Sequence, residues 1–257
     1  MMKVTTPLIV LLLGLAACTS VELREPARSA EAEMAVQLVR NAERRNDELS
    51  RADLVKALGV FEAVDDRSGR WSALHALAAW HMAQRDRTTA LAFAQQAFDL
   101  ASQLDSKASL YSSALQLGQL SGNDNLFREA LSYAQPGLGK AVLHVLLKEY
   151  EAAKAELATH RASAGEAERY GSEEAFVLYH LGKYEGDRHL VLEALDNYRL
   201  AGDAYGVTDS LFVVARLEES PDVALEFAKR ALLAARQTGD ENRIAAISHW
   251  VESKGSE

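Results

Sequence analysis

Residues 71–104 read WSALHALAAWHMAQRDRTTALAFAQQAFDLASQL. Apolar side chains recur there at intervals of three and four residues, a spacing that begins with Leu74, Leu77 and Ala78. This spacing places the apolar residues on one face of an α-helix. The polar segment 84–86 interrupts the pattern before it resumes. The stretch therefore predicts two antiparallel helices that are joined by a short turn.

The same helical pattern continues on both sides of this stretch, from residue 30 towards the end of the chain. Ser50, followed three residues later by Asp53, has the spacing of a helix start. Short breaks separate helical segments of about 12–18 residues, and they lie at 65–69, 85–86, 105–106, 122–124, 136–137, 163–165, 186–187, 202–203, 220–221 and 239–240. Since no alternating strand pattern stands out, the sequence predicts an all-α fold of roughly a dozen helices.

The predicted helix pairs resemble tetratricopeptide repeats. That family has a small residue at its eighth position, an aromatic residue at its eleventh, and alanines at its twentieth and twenty-seventh. In residues 71–104 these positions hold Ala78, His81, Ala90 and Ala97. The pattern recurs less completely in residues 111–137, 134–160, 171–203 and 205–235. In 205–235 Phe212 takes a small-residue position, and 171–203 fits only with a slip near Gly186.

The resemblance implies a right-handed α-α superhelix, a solenoid of antiparallel helix hairpins, over residues 29–252. Small residues at the named positions let neighbouring helices approach to the close end of the ~8–10 Å range of axis spacings. The matching alanines are spaced 40, 23 and 71 residues apart, which departs from a regular repeat. A degenerate solenoid, a more general α-α superhelix and a helical bundle without repeats therefore remain open.

In the resembled family, the first helix of each repeat lines the inner surface of the superhelix, where partners bind. Carried over position by position, this implies a partner-binding surface formed by Ser72, His75, Met82, Gln116, Gln119, Asp209 and Arg216. Each of these residues can also be a solvated surface residue without any partner, and that interpretation stays open.

The N-terminus carries an apolar run from Pro7 to Ala17, preceded by Lys3. The run is too short to span a membrane, which takes ~20 apolar residues, but it is typical of a secretory signal peptide. Leu15-Ala16-Ala17-Cys18 resembles the bacterial lipobox, whose cysteine is acylated and becomes the first residue of the mature protein. The resemblance implies a signal peptide at 1–17 and a covalent lipid, including palmitate, on Cys18. An ordinary signal peptide that ends before an incidental cysteine is the alternative.

The residue after the lipobox cysteine influences sorting in that family, and aspartate there favours retention in the inner membrane. Thr19 stands at this position, which implies an outer-membrane lipoprotein facing the periplasm. Residues 18–28 are interpreted as a lipidated tether, which at ~3.5 Å per residue reaches at most about 35 Å. Residues 253–257 are predicted to form a disordered tail.

Acidic residues outnumber basic ones, with 37 Asp and Glu against 28 Lys and Arg and a net charge of −9. Removal of residues 1–17 would take away only Lys3 among the charged side chains. An acidic surface argues against nucleic acid as a partner and against electrostatic docking on anionic lipid. Contact with a membrane is therefore expected through the lipid anchor.

Candidate catalytic and metal-binding residues are few. His75 and His81 diverge on one helix, which argues against a shared metal ion. His81 stands at the aromatic position of the resembled repeats and His144 at the same position of a later one, so the resemblance implies that both pack in the core. Residues 136–140 lack the first glycine and the final hydroxyl residue of a phosphate loop and predict a turn. The adjacent Glu173 and Glu174 fit a helix start, where acids oppose the helix dipole.

These observations together predict a lipid-anchored, periplasm-facing scaffold or adaptor that binds a protein or peptide partner. The same observations predict no enzymatic activity, no metal and no cofactor apart from the lipid. Trp71, Trp80 and Trp250 are interpreted as packed residues rather than partner anchors. The alternatives are a structural component of an envelope complex without a binding groove, and a cell-wall-active enzyme.

Overall fold

A computed structural model describes residues 29–45, 47–163 and 171–254. The signal peptide, Cys18, Thr19 and the tether lie outside the described residues, as do 255–257 of the tail. Ser253 and Lys254 belong to the last helix, which therefore extends two residues past the predicted end of the helical domain.

The described residues form thirteen helices and no strand. Their bounds are α1 Ala30–Arg45, α2 Glu48–Ala63, α3 Arg67–Ala83, α4 Arg87–Ala101, α5 Lys107–Ser121, α6 Asp124–Tyr133, α7 Leu138–Leu146, α8 Tyr150–Ser163, α9 Ser172–Glu185, α10 Arg188–Ala201, α11 Ala204–Leu217, α12 Pro221–Thr238 and α13 Glu241–Lys254. The predicted all-α fold is confirmed.

Consecutive helices pack against each other along the whole described chain, so the architecture is an α-α superhelix of helix hairpins. Next-but-one helices of the described chain pack closely in three cases, α1 with α3, α7 with α9 and α9 with α11. All five of these helices are odd-numbered. Because helices on the inner side of a curved stack lie closest together, the odd-numbered helices form the inner surface and the even-numbered helices the outer one.

Several of the turns between helices share one chemistry. In the turn after α10, Gly202 has a φ of 71°, in the left-handed region that favours glycine. The next residue, Asp203, donates its backbone N–H to the carbonyl of Tyr198 and accepts the N–H of Gly206 with its side chain. The first helix thus ends and the second begins within two residues. Asp86 and Asp187 cap their helices in the same way.

Small residues lie where the helices cross, as the repeat pattern predicts. Ala78, Ala90 and Ala97 are completely buried. At Gly118 a Cβ would come within 2.6 Å of the ring of Phe127 on α6, so α5 and α6 can approach this closely only because residue 118 has no side chain. His81 is also buried as predicted, with its ring stacked on Phe93 and hydrogen-bonded to Asp86.

One local prediction is wrong. The helix start predicted at Ser50 lies three residues earlier, at Asp47, and Ser50 is the buried residue whose hydroxyl accepts the N–H of Asp47 in a capping box. The sequence pattern looks alike in both registers because Asp47 and Ser50 are both good capping residues. Phe212, which departs from the repeat pattern at a small-residue position, lies half-buried with its ring edge-on to Trp250 of α13.

Candidate partner-binding surface

The residues predicted to bind a partner on α3 and α5 include one that is not accessible. Gln116 is buried, and its side-chain amide donates to the backbone carbonyl of His75, 3.1 Å away. Its role is to join α5 to α3, because a buried amide requires a hydrogen-bond partner inside the protein. Gln116 therefore has little surface to offer a partner, and its partner-binding role stays a prediction.

His75 lies beside this contact and is largely enclosed by the two helices. Its ring centroid is 5.4 Å from that of Trp71, and the indole of Trp71 donates to the hydroxyl of Ser113 at 2.8 Å. Burial lowers the pKa of His75, and a hydrogen bond to the backbone of Ser112 opposes this only in part. His75 thus belongs to the α3–α5 packing contact and is neutral at pH 7.

Three other predicted residues lie nearer to the solvent. Met82 has 45 % of its surface exposed, and Gln119 is also exposed. Ser72 is half-buried, and its hydroxyl donates to the carbonyl of Ser68 on the same helix. Met82 and Gln119 remain available to a partner on the inner surface.

The two predicted residues on α11 have different surroundings. Asp209 accepts two hydrogen bonds from the guanidinium of Arg243 on α13, at 2.8 and 3.0 Å. This bidentate ion pair, which is strong and geometrically specific, ties α11 to α13. Arg216 is exposed and makes no ion pair with any described residue. Of the two predicted residues, Arg216 is therefore the one whose charge is accessible.

Sequence reasoning missed the α9 residues that share this surface. Tyr179 and His180 pack edge-on with ring centroids 5.0 Å apart, and the Lys183 ammonium lies 5.8 Å from the centroid of Tyr179. Together with their neighbours on α11 and α13 they form what we call the inner C-terminal cluster: Tyr179, His180, Lys183, Asp209, Arg216 and Arg243.

The two titratable rings of the inner C-terminal cluster are uncharged at neutral pH. Burial lowers the pKa of His180 to about 4, helped by the charge of Lys183 and opposed by that of Asp209. Burial and the Asp209 carboxylate raise the pKa of Tyr179 to about 12. The charge of the cluster therefore comes from three cations, of which Arg243 is paired with the carboxylates of Asp209 and Asp240. Lys183 and Arg216 make the surface positive in a protein whose net charge is −9.

A register shift explains why α9 was missed. The buried positions of α9 recur 33 residues later on α11, so that Leu178 corresponds to Leu211 and Gly182 to Ala215. The same shift places Lys183 on Arg216. The repeat alignment that slips near Gly186 loses this correspondence. An alignment of the apolar positions of α9 with those of α11 would have shown that Lys183 and Arg216 are equivalent.

A cavity of about 580 Å³ opens beside Arg216, between the end of α11, the start of α12 and the end of α13. Its apolar wall contains Pro221, Leu225 and Trp250, and Arg216 and Glu219 stand among its charged residues. Its size falls within the range of ligand-binding clefts.

Within the described residues, no set of three or more His, Cys, Asp and Glu side chains could hold a metal ion. None of the described helices has the length and hydrophobicity needed to cross a membrane. The fold and the inner surface define an all-α helical-repeat protein. No family model matches the chain, and no curated protein matches it either.

Proposed function

We propose that this protein is a lipid-anchored adaptor of the bacterial cell envelope that binds a protein or peptide partner with its inner C-terminal cluster. The observation that supports this most strongly is the pair of exposed cations at equivalent positions of successive inner helices, Lys183 and Arg216. Neither has an ionic partner among the described residues, although the protein as a whole is acidic.

The chemistry of the surface fits a polypeptide segment. Two cations one repeat apart attract a chain that carries acidic residues, and Tyr179 and Trp250 supply rings of the kind that dominate binding energy at protein interfaces. The cavity beside Arg216 can take an apolar side chain of the same segment. An extended inner surface of this sort is the usual binding surface of stacked helical repeats.

The anchoring part of the proposal rests on the lipobox resemblance of Leu15-Ala16-Ala17-Cys18 and on Thr19. A lipid on Cys18 and a tether that ends at residue 28 would hold the helical domain within about 35 Å of the membrane. The partner would then be a component of the envelope, reached from the periplasmic side of the outer membrane.

A structural envelope component without a binding groove is the second candidate, and a specific observation favours it in the N-terminal half. There the inner residues are used for internal bonds, such as those from Gln116 to His75 and from Trp71 to Ser113. An enzyme is less well supported, because the pKa values of Tyr179 and His180 lie far from neutral and suit neither proton donor nor acceptor at pH 7.

Site-specific photo-crosslinking in intact cells tests the proposal. A photoreactive residue at Tyr205, exposed on α11 with its ring centroid 5.0 Å from the guanidinium of Arg243, should yield a crosslinked adduct to one envelope protein. The matched control is Leu233, exposed on the outer helix α12, which should yield none. Equal adducts from both positions, or adducts from Leu233 alone, would contradict a partner on the inner surface.

A further inference from the structure

Two consecutive helices of the superhelix, from neighbouring hairpins, are much shorter than the others. The helices α6 and α7 have 10 and 9 residues, whereas every other described helix has 14 to 18. At 1.5 Å per residue, α7 lacks about 7 Å of length relative to α9. The space that a full first turn of α7 would fill therefore stays open between the N-terminal turns of α5 and α9.

A cavity of about 370 Å³ occupies this space. Its wall is formed by the rings of Tyr111 on α5 and Tyr133 on α6, and by Pro136 in the turn before α7. Gly139 completes the wall, where a Cβ would approach the hydroxyl of Tyr111 to 3.1 Å. Glycine here keeps the space open next to Tyr111, and the resulting wall is apolar and aromatic.

Opposite charges stand on the rim of this cavity. Lys107 lies one turn before Tyr111 on α5, so the two side chains share a face of the helix. Glu173 lies in the first turn of α9, on the other side. Both are exposed, and neither makes an ion pair with a described residue. The cavity therefore presents one free cation and one free anion around an aromatic wall.

We propose that this cavity, the α5–α9 pocket, binds a small zwitterion with an apolar side chain, namely a free amino acid or a dipeptide. Lys107 pairs with the carboxylate of the ligand, Glu173 with its ammonium group, and the rings of Tyr111 and Tyr133 enclose its side chain. A ligand that carries both charges forms ion pairs with both rim residues, whereas an anion or a cation alone leaves one of them without a counter-charge.

Tyr111 is suited to this role. Burial and the charge of Glu173 raise the pKa of its phenol, so the hydroxyl keeps its proton at neutral pH. Its only hydrogen bond within the described chain is a long donation of 3.5 Å to the carbonyl of Gly139, a weak bond that donation to a ligand carboxylate can replace. The α5–α9 pocket is separate from the inner C-terminal cluster, and this proposal does not depend on the proposed adaptor function.

Calorimetric titration of the full mature chain tests the proposal with L-phenylalanine and the dipeptide L-alanyl-L-phenylalanine. At least one of the two should bind, and its N-acetylated and C-amidated derivatives should each bind about fivefold or more weakly, because each has lost one charge. Absence of binding by both probes would overturn the proposal. Equal binding of a doubly capped derivative would also overturn it and would indicate a site for an internal polypeptide side chain.

Variants assign the two charges to their partners. In Lys107→Met, affinity for the zwitterion should fall about fivefold, while affinity for the amidated derivative should not change further. Glu173→Gln should give the reciprocal result with the acetylated derivative. Lys56→Met and Glu62→Gln, exposed residues of α2 without ion pairs, are matched controls and should bind like wild type. If both test variants retained wild-type affinity, the charge assignment and the proposal would be wrong.

Discussion

His180 shows how a single side chain is tuned by its position on the inner surface. Its ring lies 4.4 Å from the centroid of Phe176 and 5.0 Å from that of Tyr179. Burial among these rings and the charge of Lys183 disfavour a proton, and the Asp209 carboxylate compensates only in part. The folded protein therefore holds His180 neutral down to a pH of about 4.

This predicts a loss of stability in mild acid. The unfolded chain binds a proton at His180 near pH 6.5 and the folded chain only near 4, so the free energy of unfolding falls as the pH drops through this interval. Because the ring is partly exposed, we expect a contribution of about 1–3 kcal/mol. Urea denaturation at pH 7, 5.5 and 4.5 should show that His180→Gln loses less stability than wild type. Parallel pH curves for the two proteins would contradict the assignment.

Cys18 carries the other residue-level prediction, since the proposed anchor depends on one sulfur atom. Cys18→Ser should abolish incorporation of labelled palmitate, because a hydroxyl cannot form the thioether on which the lipid is built. The protein should then fractionate as soluble or unprocessed material. Palmitate labelling that equals that of wild type would rule out the anchor.

At the scale of helices, turn positions are predictable because their chemistry is local. A glycine followed by aspartate marks three helix boundaries, at 186–187, 202–203 and 239–240, and the structure has turns at each. The wrong start at Ser50 shows the limit, since two capping residues stand three positions apart and only packing selects Asp47. Glu174 shows another: it looks like an ordinary first-turn acid but is buried and bonded to Arg161 of α8.

The close crossings of helices give a prediction at this scale. Ala90 on α4 is fully buried against Ala78 and Leu117, whereas Ala92 on the same helix is exposed. Ala90→Leu should lower the free energy of unfolding by about 1–3 kcal/mol, because extra atoms in a close-packed crossing force neighbouring side chains apart. Ala92→Leu, with the same change in volume and helix propensity, should stay near wild type. Equal melting of the two variants would mean that α4 does not cross its neighbours as described.

At the scale of the whole molecule, the fold class could be predicted, but the lengths of the individual helices and the cavities between them could not. Helical periodicity is a local property, and the small residues at Ala78, Ala90 and Ala97 indicate stacking. The spacing of 23 residues between Ala130 and Ala153 already signals an irregular hairpin. That α6 and α7 are short, and that a cavity opens as a result, depends on packing between helices distant in sequence.

The candidate surface was predictable to a similar extent. The sequence assigns the inner surface to the first helix of each repeat and names Arg216, which is exposed there. The sequence cannot show that Gln116 is buried and hydrogen-bonded to His75, or that Arg243 forms an ion pair with Asp209. These bonds join residues that are 41 and 34 positions apart. For this reason Asp209 belongs to the fold, and the exposed cations Lys183 and Arg216 are the charges of the cluster that can report on partner binding.

The most direct measurement is partner capture by a charge-reversed protein. Lys183→Glu combined with Arg216→Glu should reduce recovery of the crosslinked or copurified envelope partner at least tenfold. The control pair, Lys229→Glu with Arg236→Glu on the outer helix α12, makes the same change in net charge and should capture like wild type. Helical circular dichroism and the melting midpoint should match wild type in both proteins, since all four residues are exposed and outside any ion pair of the described chain. Undiminished capture by the folded inner variant, or an equal loss in the outer control, would contradict binding at the inner C-terminal cluster.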